Sequence, residues 1–77
     1  MFYTYILQLN NKDFYIGHST DLKQRIEYHK LGKVNTTKGK NVKLIFYAAF
    51  SRKSLAISFE KYLKSSSGFA FRNKHLI

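Results

Sequence analysis

The chain has 77 residues, enough for one domain and too few for two, so we expect a single domain over residues 1–77. It contains no cysteine, which excludes disulfides, thiolate zinc sites and cysteine nucleophiles. Fourteen Lys and Arg residues against four Asp and Glu leave a net charge of +10, so a polyanion is the expected partner. Nucleic acid is the leading candidate, and the alternatives are a ribosome-like RNA contact, a membrane surface and a merely solvated basic surface.

The first segment, Phe2 to Leu9, is rich in aromatic and β-branched residues and predicts a strand buried on both faces. This segment is too short to cross a bilayer, and the chain lacks the basic start of a signal peptide, so we expect a cytoplasmic protein with no membrane partner. Turn-forming residues from Asn10 to Asp13 separate it from a second apolar run, Phe14 to Gly17. The two runs predict a β-hairpin.

A helix is predicted from about Asp21 to Leu31, with Ser19 or Thr20 as its cap and Gly32 as its end. The polar, basic stretch from residue 33 to residue 43 then predicts a mobile cationic loop. Residues 43–50, KLIFYAAF, predict a third strand covered on both sides. A second long helix follows, capped by Ser51, with an apolar stripe formed by Leu55, Ala56, Phe59, Tyr62 and Leu63.

Gly68 ends or follows this second helix, and the last residues suit one or two further helical turns. The predicted order is therefore β-β-α-β-α-α. This order predicts an α+β fold, with a small three-stranded, mainly antiparallel sheet flanked by helices.

Two positions on the first helix point in one direction. Arg25 and His29 are four residues apart, so they lie about 40° apart around the helix, beside the buried stripe of Leu22 and Ile26. Taken alone, this pair is weak evidence for a site, because a surface arginine in an ion pair and an ordinary boundary histidine explain it as well.

Glu60 borders the apolar stripe of the second long helix, about 40° beyond Ala56. A carboxylate in that position can serve as a ligand for Mg²⁺, which accepts one or two protein carboxylates while water and phosphate complete its shell. The alternative is a salt bridge to one of the many lysines. Aromatic strand residues such as Tyr5 and Tyr15 are likewise usually core residues when considered singly.

The order of these residues resembles the GIY-YIG nuclease family over nearly the whole chain. The specific parts are YTY at residues 3–5, YIGHSTDLKQRIEYH at residues 15–29 and EKYLKSSSG at residues 60–68. The first motif departs from the family name, because Tyr3 and Thr4 occupy the glycine and isoleucine positions while Tyr5 is kept. The resemblance is greatest to the small stand-alone bacterial members.

The resemblance implies an endonuclease that cleaves phosphodiester bonds with one divalent metal ion, Mg²⁺ or Mn²⁺, and it implies nucleic acid, with DNA first, as the partner. It assigns Tyr5 and Tyr15 to the region of the attacking water, Arg25 to the scissile phosphate, His29 to an assisting role and Glu60 to the metal. Asn73 is a weaker candidate, for the asparagine near the end of many family domains.

Glycine and lysine residues extend this expected site. Gly17 lacks a side chain that would block a phosphate, although a glycine at a strand end is often only a bend. The cationic loop is placed to follow a nucleic-acid backbone through Lys33, Lys38, Lys40 and Lys43. The rival interpretation is a basic binding module that keeps this scaffold without turnover.

Overall fold

The computed structural model describes the backbone of residues 1–77 and every side chain except that of Thr36. Its elements are β1 (Phe2–Leu9), β2 (Phe14–Ser19), α1 (Leu22–Lys30), a 3₁₀ turn (Asn35–Thr37), β3 (Val42–Phe50), α2 (Lys53–Lys64) and α3 (Ser66–His75). The sheet order is β2-β1-β3, and both pairings are antiparallel. The predicted α+β class, the antiparallel sheet and the order of elements are therefore confirmed.

The central strand β1 is buried on both faces, as predicted, because helices pack on both sides of the sheet. Side chains alternate along a strand, so Tyr3, Tyr5 and Leu7 share one face, and Thr4 and Ile6 lie on the other. We call the face that carries Tyr5 the tyrosine face, and the opposite one the core face. Helix α1 packs on the tyrosine face through His29, whereas α2 and α3 pack on the core face.

The core face carries most of the apolar packing. Ile6, Ile16 and Leu63 form its buried centre, and five partly buried side chains pack around them: Phe14, Ile45, Phe46, Phe59 and Leu76. The one buried hydroxyl here, on Thr4, donates to the carbonyl oxygen of Ala56 at 2.7 Å, so that burying it leaves no donor unpaired.

The prediction that β3 is covered on both sides is wrong. β3 is an edge strand, and Tyr47 on its tyrosine face is 54% exposed. The unbroken apolar run of β3 is explained instead by a β-bulge. A register shift opposite Ile6 and Leu7 inserts one extra residue into β3, which lets the consecutive Ile45 and Phe46 both pack on the core face.

Two predicted helix caps are also wrong, whereas Gly68 follows α2, as one of the two predicted alternatives had it. Asp21 caps α1 by accepting from the Gln24 amide at 3.0 Å, because Ser19 is instead paired with the Asp21 backbone. Helix α2 begins after Arg52, without a side-chain cap. Gly68 lies inside α3, where any Cβ would fall 1.6 Å from the Tyr62 carbonyl oxygen, so this glycine permits the abrupt turn between α2 and α3.

Among the described residues, no helix is both long enough and apolar enough to cross a membrane.

Candidate active site

The tyrosine face brings together side chains from β1, β2 and α1. Tyr5 in β1 is paired directly with Gly17 in β2, and the Tyr15 ring lies 6.3 Å from the Tyr5 ring. Helix α1 places His29 over both phenols, with ring centroids 5.8 Å from Tyr5 and 4.7 Å from Tyr15. Tyr5 and His29 are buried and Tyr15 is half-buried, so Tyr15 is the phenol nearer to solvent.

A chain of hydrogen bonds joins Tyr5, His29, Thr37 and Val34, and it is satisfied throughout by one tautomer of His29. The Thr37 hydroxyl donates to the Val34 carbonyl oxygen at 3.4 Å, so its own oxygen is free to accept from His29 Nδ1 at 2.8 Å. With its proton on Nδ1, the ring presents an unprotonated Nε2 to the Tyr5 hydroxyl, 3.0 Å away. In this tautomer Tyr5 donates to His29, and the imidazole is oriented as a proton acceptor.

Burial and the neighbouring Arg25 together set the charges of Tyr5 and His29. Burial raises the pKa of Tyr5, an effect that hydrogen bonding to Arg25 partly opposes. Burial also lowers the pKa of His29, and the positive charge of Arg25 lowers it further. The interaction with Tyr5 raises the pKa of Arg25 itself. The ligand-free site thus holds a protonated Tyr5, a neutral His29 and a fixed positive charge.

The position of the Tyr5 side chain requires a glycine at residue 17. A Cβ built on Gly17 would lie 2.7 Å from the Tyr5 hydroxyl oxygen and 2.9 Å from Cζ, closer than real Cβ contacts. The glycine is buried and makes room for the phenol, which differs from the expectation that it leaves access for a phosphate. Direct contact between Gly17 and a phosphate stays a prediction.

Glu60 lies on α2, which packs on the core face, and it contacts His18, the β2 partner of Thr4. Its carboxylate accepts from His18 Nδ1 at 2.5 Å and from Lys64 Nζ at 2.7 Å, and its side chain is 16% exposed. Burial acts to raise the pKa of Glu60, but the hydrogen bonds from Lys64 and His18 outweigh burial, so the pKa is lowered. Glu60 also lies near enough for its charge to act on Tyr5. The charge of the ionised Glu60 carboxylate therefore reaches Tyr5, while its direct partners are His18 and Lys64.

The Glu60 carboxylate suits a single divalent ion whose remaining ligands come from water and from the phosphate of a substrate. Among the described side chains, no three His, Cys, Asp or Glu residues form a cluster that could hold a metal. Mg²⁺ nevertheless accepts one carboxylate when water and phosphate oxygens complete its shell, and an ionised oxygen ligand such as Glu60 fits that requirement. Such an ion would displace the hydrogen bonds from Lys64 and His18.

The cationic loop is attached to the site instead of lying apart from it. Thr37 is fully buried between the ends of the loop, and its bond to His29 connects the loop to helix α1. Lys33 lies over the Tyr28 ring at 5.1 Å, while Lys38 and Lys43 are exposed and Lys40 is half-buried. Lys40 lines a groove with Phe14, and Lys43 pairs with Gln8, so both lie toward the hairpin-turn end of the sheet. Contact of the four lysines with a nucleic-acid backbone stays a prediction.

The structure does not bring Asn73 into the cluster. This residue is exposed on α3 and lines a groove with Phe14, Arg72 and Lys40. Phe14 pairs with Gln8 at the hairpin-turn end of β1, whereas the site is built around Tyr5 and Gly17.

Three partners in the site were absent from the sequence reasoning. Lys64 could have been found, because it lies one helical turn after Glu60. His18 directly follows Gly17, but only the packing of α2 against β2 shows that it meets Glu60. Thr37 has no sequence signal beyond its place in a polar loop.

Comparison with known proteins agrees with this geometry. A family model described as the GIY-YIG catalytic domain matches residues 1–74. A UPF0213 protein of Streptococcus pneumoniae is 38% identical over 64 residues, which cover 80% of this chain and 65% of the relative. A UPF0213 protein of Haloquadratum walsbyi is 32% identical over 65 residues, covering 82% of this chain and 73% of that protein. The chain thus spans slightly less than two thirds of the streptococcal relative.

A solved structure shares the fold. The solution NMR structure of a UPF0213 protein from Bacillus halodurans has a TM-score of 0.59 and 30% sequence identity. The similarity covers 96% of this chain and 84% of the other.

Proposed function

Because this chain belongs to the GIY-YIG family, we propose that it is a metal-dependent endonuclease that hydrolyses phosphodiester bonds of nucleic acid, with DNA as the leading substrate. The observation that carries the proposal is the convergence of Arg25, the phenols of Tyr5 and Tyr15, and a neutral His29, with the charge of the ionised Glu60 acting on Tyr5. A location in the cytoplasm stays an expectation from the sequence.

Each group in the cluster has a task in hydrolysis. As water attacks phosphorus and the bond to the leaving oxygen breaks, negative charge grows on the nonbridging oxygens, which the planar guanidinium of Arg25 can meet with paired hydrogen bonds. Glu60 would hold the Mg²⁺ or Mn²⁺ ion, whose positive charge neutralises the same oxygens. Tyr15, the half-buried phenol, would orient the water.

The attacking water must lose a proton, and the hydrogen-bond directions favour His29 as its final acceptor. A phenol with a raised pKa keeps its own proton at neutral pH, so Tyr5 acts only if it passes that proton to His29 Nε2 as it takes one from water. This transfer leaves Tyr5 neutral and His29 positively charged. Its bond to Thr37 holds the ring in the tautomer that this step requires.

A second candidate function, binding of nucleic acid without cleavage, is favoured by two details. Both carboxylate oxygens of Glu60 are already engaged, and the Tyr5 side chain is closed to solvent. The basic surface alone would serve such a module.

Cleavage of plasmid, single-stranded DNA and RNA in Mg²⁺ or Mn²⁺, with EDTA as control, separates the two functions. We expect Arg25→Ala and Arg25→Lys each to lower cleavage by about a hundredfold or more, because lysine cannot make the bidentate contact. Lys30→Ala is the matched control, since it removes an exposed charge from the same helix. Cleavage of every substrate at the parent rate by Arg25→Ala would exclude this site, and binding without cleavage by the parent would favour the module.

A further inference from the structure

A groove on the tyrosine face lies next to the candidate site and is not used by the proposed chemistry. It has a volume of about 490 Å³ and lies between the N-terminal half of α1 and the exposed part of the sheet. Two tyrosine rings, Tyr3 and Tyr47, and the side chain of Ile26 supply its apolar walls, and Lys23 and Asp21 lie on its polar side.

The groove is continuous with the site through the sheet. Tyr47 in β3 is the direct partner of Tyr5 in β1, and residues paired in this way carry their side chains on one face. Along α1, Ile26 in the groove precedes His29 in the site by three residues, or about 4.5 Å of helix rise. A group bound to the groove would thus be a near neighbour of a phosphate at Arg25.

The aromatic walls are ordered and accessible. The Tyr3 and Tyr47 rings meet edge to face with centroids 6.2 Å apart, a favourable geometry that holds the Tyr47 ring in place. Tyr47 remains 54% exposed, although large aromatic side chains are normally covered. A flat, fixed and uncovered ring is the feature on which nucleobases stack in single-strand-binding proteins.

From these observations we propose that the Tyr3–Tyr47 groove binds one unpaired nucleobase next to the scissile phosphate. The groove favours a base over a phosphate for two reasons. The Asp21 carboxylate repels a phosphate, and the apolar walls accept the π face of a base. Lys23 is exposed at the groove and suits the adjoining phosphate. A base inside a duplex is stacked on both sides, so the groove requires a single strand or a displaced nucleotide. This inference rests on the proposed function and specifies its substrate class.

Binding in EDTA tests the proposal without any contribution from cleavage. The ligands are a fluorescent single-stranded oligothymidylate and an abasic strand of equal length, which has the same phosphates but no bases. We expect the parent to bind the base-bearing strand about tenfold more tightly, as one stacked base allows. A strand containing 2-aminopurine should lose fluorescence on binding.

Substitutions at Tyr47 then locate the base. Tyr47→Leu keeps an apolar side chain but cannot stack, so it should lose the tenfold preference and leave the affinity for the abasic strand unchanged; Tyr47→Phe should retain the preference. Tyr62→Leu is the matched control, because Tyr62 is an exposed tyrosine on α2, across the sheet. Thermal melting checks that each variant is folded.

The outcomes separate this inference from the proposed nuclease. Equal affinity of the parent for the two strands, or a preference that survives in Tyr47→Leu, would overturn the stacking site even if the protein cleaves DNA. A base preference that depends on Tyr47 in a protein that cleaves nothing would support the groove and reject only the nuclease. Failure to bind either strand would overturn both.

Discussion

Replacing Thr37 by valine removes one hydroxyl from the interior and keeps nearly the same shape. Thr37 and His29 are both buried, so the Nδ1 proton of His29 would lose its only acceptor among the described side chains and could not turn to water. An unsatisfied buried donor costs about 1–3 kcal/mol. A domain of this size melts about 4–8 °C lower for each kcal/mol lost, so we expect the melting temperature to fall by roughly 5–20 °C.

The same substitution should change the state of His29. Without the acceptor at Nδ1, the ring is free to carry its proton on Nε2, where it opposes the hydroxyl proton of Tyr5. Imidazole nitrogen chemical shifts report the tautomer directly, and circular dichroism gives the melting temperature. If the protein is a nuclease, cleavage should fall as well, because the proton acceptor is lost.

Thr37→Ser is the control, since it keeps the hydroxyl and loses only a methyl group. It should keep the Nδ1 tautomer and the cleavage rate while losing about 1 kcal/mol for the buried methyl. The reasoning fails if Thr37→Val melts with the parent and retains the Nδ1 tautomer, because Thr37 would then not be the partner that orients His29.

Three other predictions use the same assays. Gly17→Ala should destabilise the domain by about 1–3 kcal/mol through its clash with the Tyr5 hydroxyl, and adding Tyr5→Phe should restore part of this loss; strictly additive effects would contradict the clash. Glu60→Gln should abolish metal-dependent cleavage yet lower stability by only about 0.5 kcal/mol, since its partner Lys64 is exposed; an active variant would exclude the metal role. Because the pKa of His29 is lowered in the folded protein, the unfolded chain binds more protons below its ordinary pKa of about 6.5, and stability should fall as pH drops through that value. In thermal melts, His29→Gln should lose this part of the pH dependence, and an unchanged dependence would contradict the buried neutral ring.

Local patterns predicted most of the fold because strands, turns and helices depend largely on interactions between residues that are close in the sequence. The alternation in β1, the turn after Leu9 and the helical spacing of Leu22 and Ile26 each correspond to an element of the structure. The predictions failed where two local options were close in energy, as at Ser19 and Asp21, either of which can cap a helix. They also failed at β3, where a bulge places two consecutive apolar residues on one face. Alternation alone attributed the apolar run to burial on both sides.

The candidate site likewise has one part that the sequence predicts and another that depends on the tertiary structure. The amino-acid sequence by itself determined that Arg25 and His29 point together, since four residues on a helix return to one side, and its motifs determined the family. Only the tertiary structure decided that Thr37 orients His29, that Gly17 makes room for Tyr5 and that Tyr47 is left uncovered. Each of these depends on chain segments that are distant in sequence or on which strand lies at the sheet edge. Spacing along the chain carries no information about either, because both are settled only when the sheet and helices pack.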